Sequence, residues 1–396
     1  MSHFKLQKVH NFSYLNLAGL KEQRKALLPP EENELLEKIN HYYGDELPKA
    51  VYSSKFETKT PRWITKERCF GPLPKYRGKI LLARTLPVEY DGVRSLKFSY
   101  DGEKLVVGYG AGNIEVVSMN DVEAAPVMIK PMQKGFPITA VRFIGDTSNF
   151  LAASFSGGLF FCTPDAQECT EFLKEDDNEI NAMDVCRAGE KIITGGKDTA
   201  IRLYDLQTGQ KTYEYLRNVT LSYHADGDNL YHSLHIFAVK FHPDYPELFM
   251  SGGWDGYAKV WDLRISKGCI RNFHGPYMCG SAIDAHNSEV LTGSLQWKNG
   301  IQLWDLPSGK EIKSISSLNR SKSVNGDFIH TLQYLMQDLY QSVLTGGRNP
   351  YVEIINIDEQ RTIFRFPVHK SILALDTCTD YLSYGGYENC LRVVRY

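Results

Sequence analysis

The sequence predicts an all-β fold, seven copies of a small antiparallel sheet closed into a ring, behind a partly helical, partly extended N-terminal arm. Two observations carry this reading. First, one pattern recurs seven times: an apolar strand, a turn, a strand ending in a small residue and glycine, a hairpin, and another apolar strand. The strands after the hairpin begin at Ile114, Leu159, Ile201, Ala258, Ile301, Val352 and Leu391, with spacings of 45, 42, 57, 43, 51 and 39 residues. That is the period of a propeller blade, and self-similarity at such a period sets the architecture. Second, the clearest copy, Phe249 to Arg264 (FMSGGWDGYAKVWDLR), places Asp255-Gly256 between two apolar runs, a strong local hairpin signal.

The chain divides at residue 78. In the extension, 1–77, residues 15–28 suit a helix stopped by Pro29 and Pro30. Residues 31–43 suit a second, with Glu31, Glu32 and Glu34 at its positive end, Leu35, Leu36, Ile39, Tyr42 and Tyr43 on one face, and Gly44 as a cap. The stretch 49–77 carries Pro61, Pro72 and Pro74, which oppose regular structure. It also carries Tyr52, Phe56, Trp63, Phe70 and Tyr76, which a solvated linker would lack. Those rings either strap the arm onto the protein's own body or dock on a partner. Residues 1–80 hold 15 Lys and Arg against 9 Asp and Glu, whereas the rest holds 30 against 38. A basic arm on an acidic body signals interaction, with Lys55, Lys59, Arg62, Lys66 and Arg68 steering and Trp63 and Phe70 burying.

From 78 to 396 the chain repeats. The strands before each hairpin align as KIITGG (191–196), FMSGG (249–253), VLTGS (290–294), VLTGG (343–347) and LSYGG (382–386). The two longest spacings contain insertions, 217–231 and 319–327. The last copy stops at its third strand, and the apolar run Lys79 to Leu86 precedes the first copy without a blade of its own. It is expected to supply the missing fourth strand, because radial closure leaves only short protected edges.

Trp261-Asp262, closing the strand after the Asp-Gly hairpin, gives the repeat its identity: the chain resembles the WD-repeat family over about 320 residues. The resemblance implies a seven-bladed WD-repeat β-propeller and, in one repeat, a complete buried tetrad of His232, Ser251, Asp255 and Trp261. Elsewhere the tetrad decays. The unit ending at Asp305 keeps His274, Thr292 and Trp304, and the unit ending at Asp205 keeps Thr194, Asp198 and Tyr204 without a histidine. The alignment of the first two blades is the least defined.

Composition and motifs argue against catalysis. His232, Ser251 and Asp255 mimic a hydrolase triad, but the repeat alone accounts for all three. Gly108 to Gly112 joins two strands and opens no helix, so a phosphate loop fails on context. The acidic run Glu175-Asp176-Asp177 reads as a solvated loop. Eight scattered cysteines without a C-x-x-C pair read as reduced thiols, and no histidine pair has metal-ligand spacing, so no metal and no cofactor are expected. The N-terminus lacks the apolar core of a secretory signal, and no run approaches the roughly 20 apolar residues that span a bilayer, so no membrane is expected.

The expected function is a non-catalytic cytoplasmic scaffold for protein–protein assembly, with no small-molecule substrate. A cytoskeletal or ciliary/flagellar axoneme setting is preferred, with tubulin or axonemal proteins as partners, because a basic, aromatic arm suits an acidic tubulin lattice. Hairpin tips form the expected partner-binding face: Trp254, Trp297, Arg348 and Tyr387, with Lys197 beside them, since Trp, Tyr and Arg dominate interface energetics. The alternative is a substrate receptor of a cullin-RING ubiquitin ligase. Trp261, Asp262 and Arg264 match the W-D-x-R box by which some WD-repeat proteins dock onto the ligase adaptor. A second alternative is a nucleic-acid-associated propeller gripping phosphates with the arm, which the acidic body disfavours.

Overall fold

Repeated strand–hairpin units fold into seven four-stranded antiparallel sheets in the computed structural model, which describes residues 79–129, 135–216, 230–266, 268–296, 298–316, 328–335, 341–349 and 351–395. The extension, with its expected helices at 15–28 and 31–43 and its basic arm at 49–77, lies outside the described residues. No α-helix occurs among the described residues. One 3-10 turn, Val88–Tyr90, leads into the first sheet.

Six of the sheets are meanders of consecutive strands, and the seventh is completed by the first described strand. Blade 1 begins with the inner strand Val93–Phe98, blade 2 with Ile138–Phe143, blade 3 with Ile180–Val185 and blade 4 with Ile236–Phe241. Blades 5, 6 and 7 begin with Ile283–His286, Ile329–Tyr334 and Ile372–Thr377. In blade 7 the outer strand is Lys79–Thr85, paired antiparallel with Cys390–Arg395 in a register running from Lys79↔Arg395 to Thr85↔Cys390. Arg84 on that strand forms an ion pair with Glu115 of blade 1, which also accepts a 2.8 Å hydrogen bond from the Tyr109 hydroxyl. Chain closure therefore rests on a backbone ladder and on a partly buried charge pair with the adjoining blade.

The core is divided among the seams. Seven buried apolar clusters each combine side chains of two adjacent blades, from Leu96 and Leu105 with Leu391 and Val393 at the 7–1 seam to Leu344 and Val352 with Leu382 and Val394 at the 6–7 seam. Both faces of every sheet are thus covered, which explains inner and second strands that read as near-continuous apolar runs. No blade has a core of its own.

Two polar devices lock the inner strands. Six of them carry a register irregularity at their first residues, as between Val93 and Ser95 or Ile236 and Ala238. At three of these irregularities a side chain reaches the next blade: Ser95 Oγ donates to the Ile138 carbonyl at 2.8 Å, Thr139 Oγ1 to Ile180 at 2.8 Å, and Asn181 Nδ2 to Ile236 at 3.1 Å. At the opposite ends, aspartates clamp their neighbours. Asp184 of blade 3 accepts from Arg142 Nε of blade 2 at 2.6 Å and from the Phe241 amide of blade 4 at 2.8 Å. Asp284 of blade 5 likewise takes Lys240 Nζ of blade 4 at 2.7 Å and the Tyr334 amide of blade 6 at 2.9 Å. Asp376 of blade 7 binds Lys97 Nζ and the Phe98 amide of blade 1.

One sequence expectation is corrected here. Cys162 and Cys169 are not both reduced: they face each other on adjacent outer strands of blade 2, with Cα atoms 4.0 Å apart, and are joined as a disulfide. The pair lies seven residues apart across a tight turn, a spacing with no C-x-x-C signature. Gly252 and Gly253 close the strand Leu248–Gly253, in line with the aligned pre-hairpin strands, and Trp254, Asp255 and Gly256 make the turn. Gly256 has φ +76°, a left-handed conformation that favours glycine there.

Candidate functional site

The buried tetrad of blade 4 is assembled from three segments. Trp261, from Tyr257–Asp262, donates its indole N–H to Ser251 Oγ at 2.8 Å; Ser251 Oγ lies 2.6 Å from His232 Nε2; and His232 Nδ1 lies 2.8 Å from Asp255 Oδ2. Burial pushes the Asp255 carboxyl up, but the His232 charge and hydrogen bond, with Lys259 nearby, outweigh it and hold the group below the usual carboxylate range. Ser251, His232 and Trp261 are almost fully buried, at 0%, 1% and 0% exposure. A substrate carbonyl has no route to the serine, so the triad-like geometry serves as a structural relay.

Blade 3 contains the same relay with one replacement that sequence reasoning missed. Glu175 is buried at 5% exposure, not solvated, and it occupies the histidine's place. It accepts from Thr194 Oγ1, from the Tyr204 hydroxyl at 3.0 Å and from Asn178 Nδ2 at 2.6 Å. Burial first, then the Glu175 charge and hydrogen bond, push the Tyr204 phenol well above its ordinary value, keeping it a donor. Asp198 cannot approach a second carboxylate directly. Arg202 stands between them, 3.1 Å from Glu175 and 2.5 Å from Asp198, and also binds Glu214 at 2.8 Å. The signal was spacing: Glu175 precedes Thr194 by 19 residues, as His232 precedes Ser251.

In blade 5 only the Trp304 Nε1 to Thr292 Oγ1 bond remains, at 2.8 Å. His274 does not join it: it sits exposed on the outer strand of blade 4, its ring 5.0 Å from that of Tyr257.

The hairpin tips occupy one rim. The backbone N–H groups of Lys197, Trp254, Arg348 and Tyr387 donate to Glu179, His235, Phe328 and Ser371, each just ahead of an inner strand. The four residues therefore stand at the same end of the inner strands in blades 3, 4, 6 and 7. Lys197 and Arg348 are exposed; Lys197 Nζ pairs with Glu179 at 2.8 Å. Trp254 is half-buried, stacked on His235 (5.4 Å, 11°) and leaning on Phe237 (4.9 Å). Tyr387 is half-buried with the Arg94 guanidinium 4.5 Å over its ring. Trp297 lies outside the described residues. On the same rim Cys279 Sγ lies 2.8 Å from His330 Nδ1. Burial, reinforced by Arg348, pulls the His330 imidazole down to about 4, and burial pushes the Cys279 thiol up, so the pair is neutral near pH 7.

Elsewhere, Trp261 of the W-D-x-R box is core, whereas Arg264 leaves 69% of its side chain exposed. Asp262 fixes it through Nε at 2.9 Å and Nη2 at 2.6 Å. Lys55, Lys59, Arg62, Trp63, Lys66, Arg68 and Phe70 lie outside the described residues.

Seven blades with seam-packed cores and a Trp–Ser–His–Asp relay define a WD-repeat propeller, and comparison with known proteins agrees. The family model "WD domain, G-beta repeat" matches residues 167–205 and 220–262, the two units with aligned relays. Mitochondrial division protein 1 of Saccharomyces cerevisiae is 29% identical over 163 residues, covering 34% of this chain and 22% of the relative. Ribosome biogenesis protein ERB1 of Coprinopsis cinerea is 35% identical over 86 residues, 22% of this chain and 10% of the relative. Periodic tryptophan protein 2 of Arabidopsis thaliana is 20% identical over 309 residues, 74% of this chain and 32% of the relative. The chain matches a third or less of the length of each. The chain carries WD repeats, matched by the family model in two of its blades, and WD-repeat proteins act as scaffolds for protein interactions.

Proposed function

We propose that this propeller is a non-catalytic assembly platform whose partner seats on the hairpin-tip rim. One observation carries the reading: Lys197, Trp254, Arg348 and Tyr387 present two cations and two half-exposed rings from one rim. Their backbones are tied to the inner strands, so little ordering is needed on binding. The relatives' names span mitochondrial division and ribosome biogenesis, settings that differ in location. The cytoskeletal or axonemal setting, with tubulin as partner, draws its support from the basic arm at 49–77 alone. Trp254→Ala and Arg348→Ala, each expressed as the full chain, should each weaken capture of the same co-purifying proteins by about 2 kcal/mol while the melting temperature moves little. Unchanged capture with early melting would assign these side chains to packing.

A second reading, a ubiquitin-ligase substrate receptor, is favoured by the exposed and pre-oriented Arg264. Recovery of a ligase adaptor by the parent and its loss in Arg264→Ala would support it.

A further inference from the structure

Away from the hairpin-tip rim, blades 3 and 4 enclose a groove of about 340 Å³ beside the outer strand Lys211–Tyr215. Its floor is apolar, formed by Leu203 and Tyr213 of blade 3 and Leu263 of blade 4, with Ile265 exposed at its edge. The walls are fixed to each other, since the Tyr213 hydroxyl donates to the Ser266 carbonyl at 2.5 Å. Two cations line it, Lys191 and Arg264, and no carboxylate does. The acids around it are engaged: Asp262 and, at 3.8 Å, Glu247 by Arg264, and Glu214 by Arg202 and Lys211. Arg264 uses Nε and Nη2 on Asp262, with Glu247 3.8 Å from the same Nη2, while Lys191 is exposed and makes no ion pair among the described residues. A planar guanidinium held in place by Asp262, with Glu247 no nearer than 3.8 Å, is pre-organised for a closer carboxylate.

We infer that this groove docks an acidic–apolar peptide segment of a protein partner, an apolar or aromatic side chain filling the floor and an adjacent Asp or Glu meeting Arg264 and Lys191. The complementarity is of charge and of size: the volume lies at the low end for binding sites and suits one large side chain. A basic peptide or an uncharged one would leave Lys191 unanswered and add nothing to the exposed guanidinium of Arg264. The inference needs neither the hairpin-tip rim nor a ligase role.

The test is selection of random linear dodecapeptides displayed on phage against the immobilised full-length chain, counter-selected on a Lys191→Ala/Arg264→Ala/Ile265→Ser variant. Sequences held by the parent and lost by the variant should place an apolar residue within two positions of Asp or Glu. Their recovery should fall about tenfold or more on the variant and decline with added salt. Lys191→Ala alone, an exposed side chain, should give the same ordering with a smaller loss, which guards against misfolding of the triple variant. The inference is overturned if no sequences separate parent from variants, or if those that do lack a carboxylate. It is equally overturned if an oligothymidylate, rather than peptides, is retained by the parent and released by Lys191→Ala.

Discussion

At the scale of single residues, the buried relays make the sharpest statements about stability. Glu175 accepts from Thr194, Tyr204, Asn178 and Arg202, so its removal orphans donors that have no water to turn to. Glu175→Ala should destabilise by about 3 kcal/mol, comparable to Asp255→Ala, measured by urea unfolding. A solvated acidic loop would give a change near zero. His330 makes a second statement. Its imidazole sits at about 4 in the folded chain against an ordinary 6.5. Between those values the unfolded chain binds a proton that the folded chain refuses, so stability is full above pH 6.5 and drains as pH falls toward 4. From pH 7 to 4.5 the parent should lose about 2 kcal/mol more than His330→Gln, read by urea unfolding at both pH values. Asp255 is depressed instead, so its contribution persists through this window and is lost only as pH falls below the ordinary carboxylate range.

At the scale of elements, the strand Lys79–Thr85 has a double attachment, a ladder to Cys390–Arg395 and the Arg84–Glu115 pair to blade 1. Deleting 79–85 removes both and bares the strand Cys390–Arg395 as the unpaired outer edge of blade 7. The expected result is a lower melting temperature with loss of a single cooperative transition by calorimetry, since each blade shares its core with two neighbours. Arg84→Met keeps the ladder and should cost only 1–2 kcal/mol, roughly the net worth of a charged hydrogen bond, with cooperativity intact. Equal behaviour of the two variants would mean that the ladder adds nothing beyond the ion pair. The strand was legible beforehand because an apolar run stood without a blade. The ion pair was not, since Arg84 and Glu115 lie 31 residues apart and their meeting depends on how two blades seat.

At the scale of the molecule, what the sequence disclosed was whatever repeats. The period yielded seven blades, and the tetrad residues His232, Ser251, Asp255 and Trp261 could be named because the motif is local and their spacing fixed. What it concealed was whatever occurs between blades. Asp184, Asp284 and Asp376 each grip a neighbour through residues 42 to 279 positions away, a pairing no periodicity exposes. Glu175 was misjudged for another reason. A run of three acids looks solvated by composition, and only alignment by spacing shows that its first member takes a histidine's place. The hairpin tips were legible as positions, whereas the stacking of Trp254 on His235 and Phe237 depends on the residues ahead of an inner strand.

The pairing of Lys79–Thr85 with Cys390–Arg395 also has a consequence in time. More than three hundred residues separate the partners, and the first is translated long before the second. At synthesis rates of about 5–20 residues per second, the early strand waits roughly fifteen to sixty seconds for its mate. Throughout that interval a half-apolar strand, with Ile80 and Leu82 on it, stands next to a growing chain of incomplete blades, each offering an edge. Pairing with the outer strand of an earlier blade is then the available error, and it would trap the chain as a shorter, mis-closed ring. Birth of this protein is therefore a race between its last strand and the wrong edges.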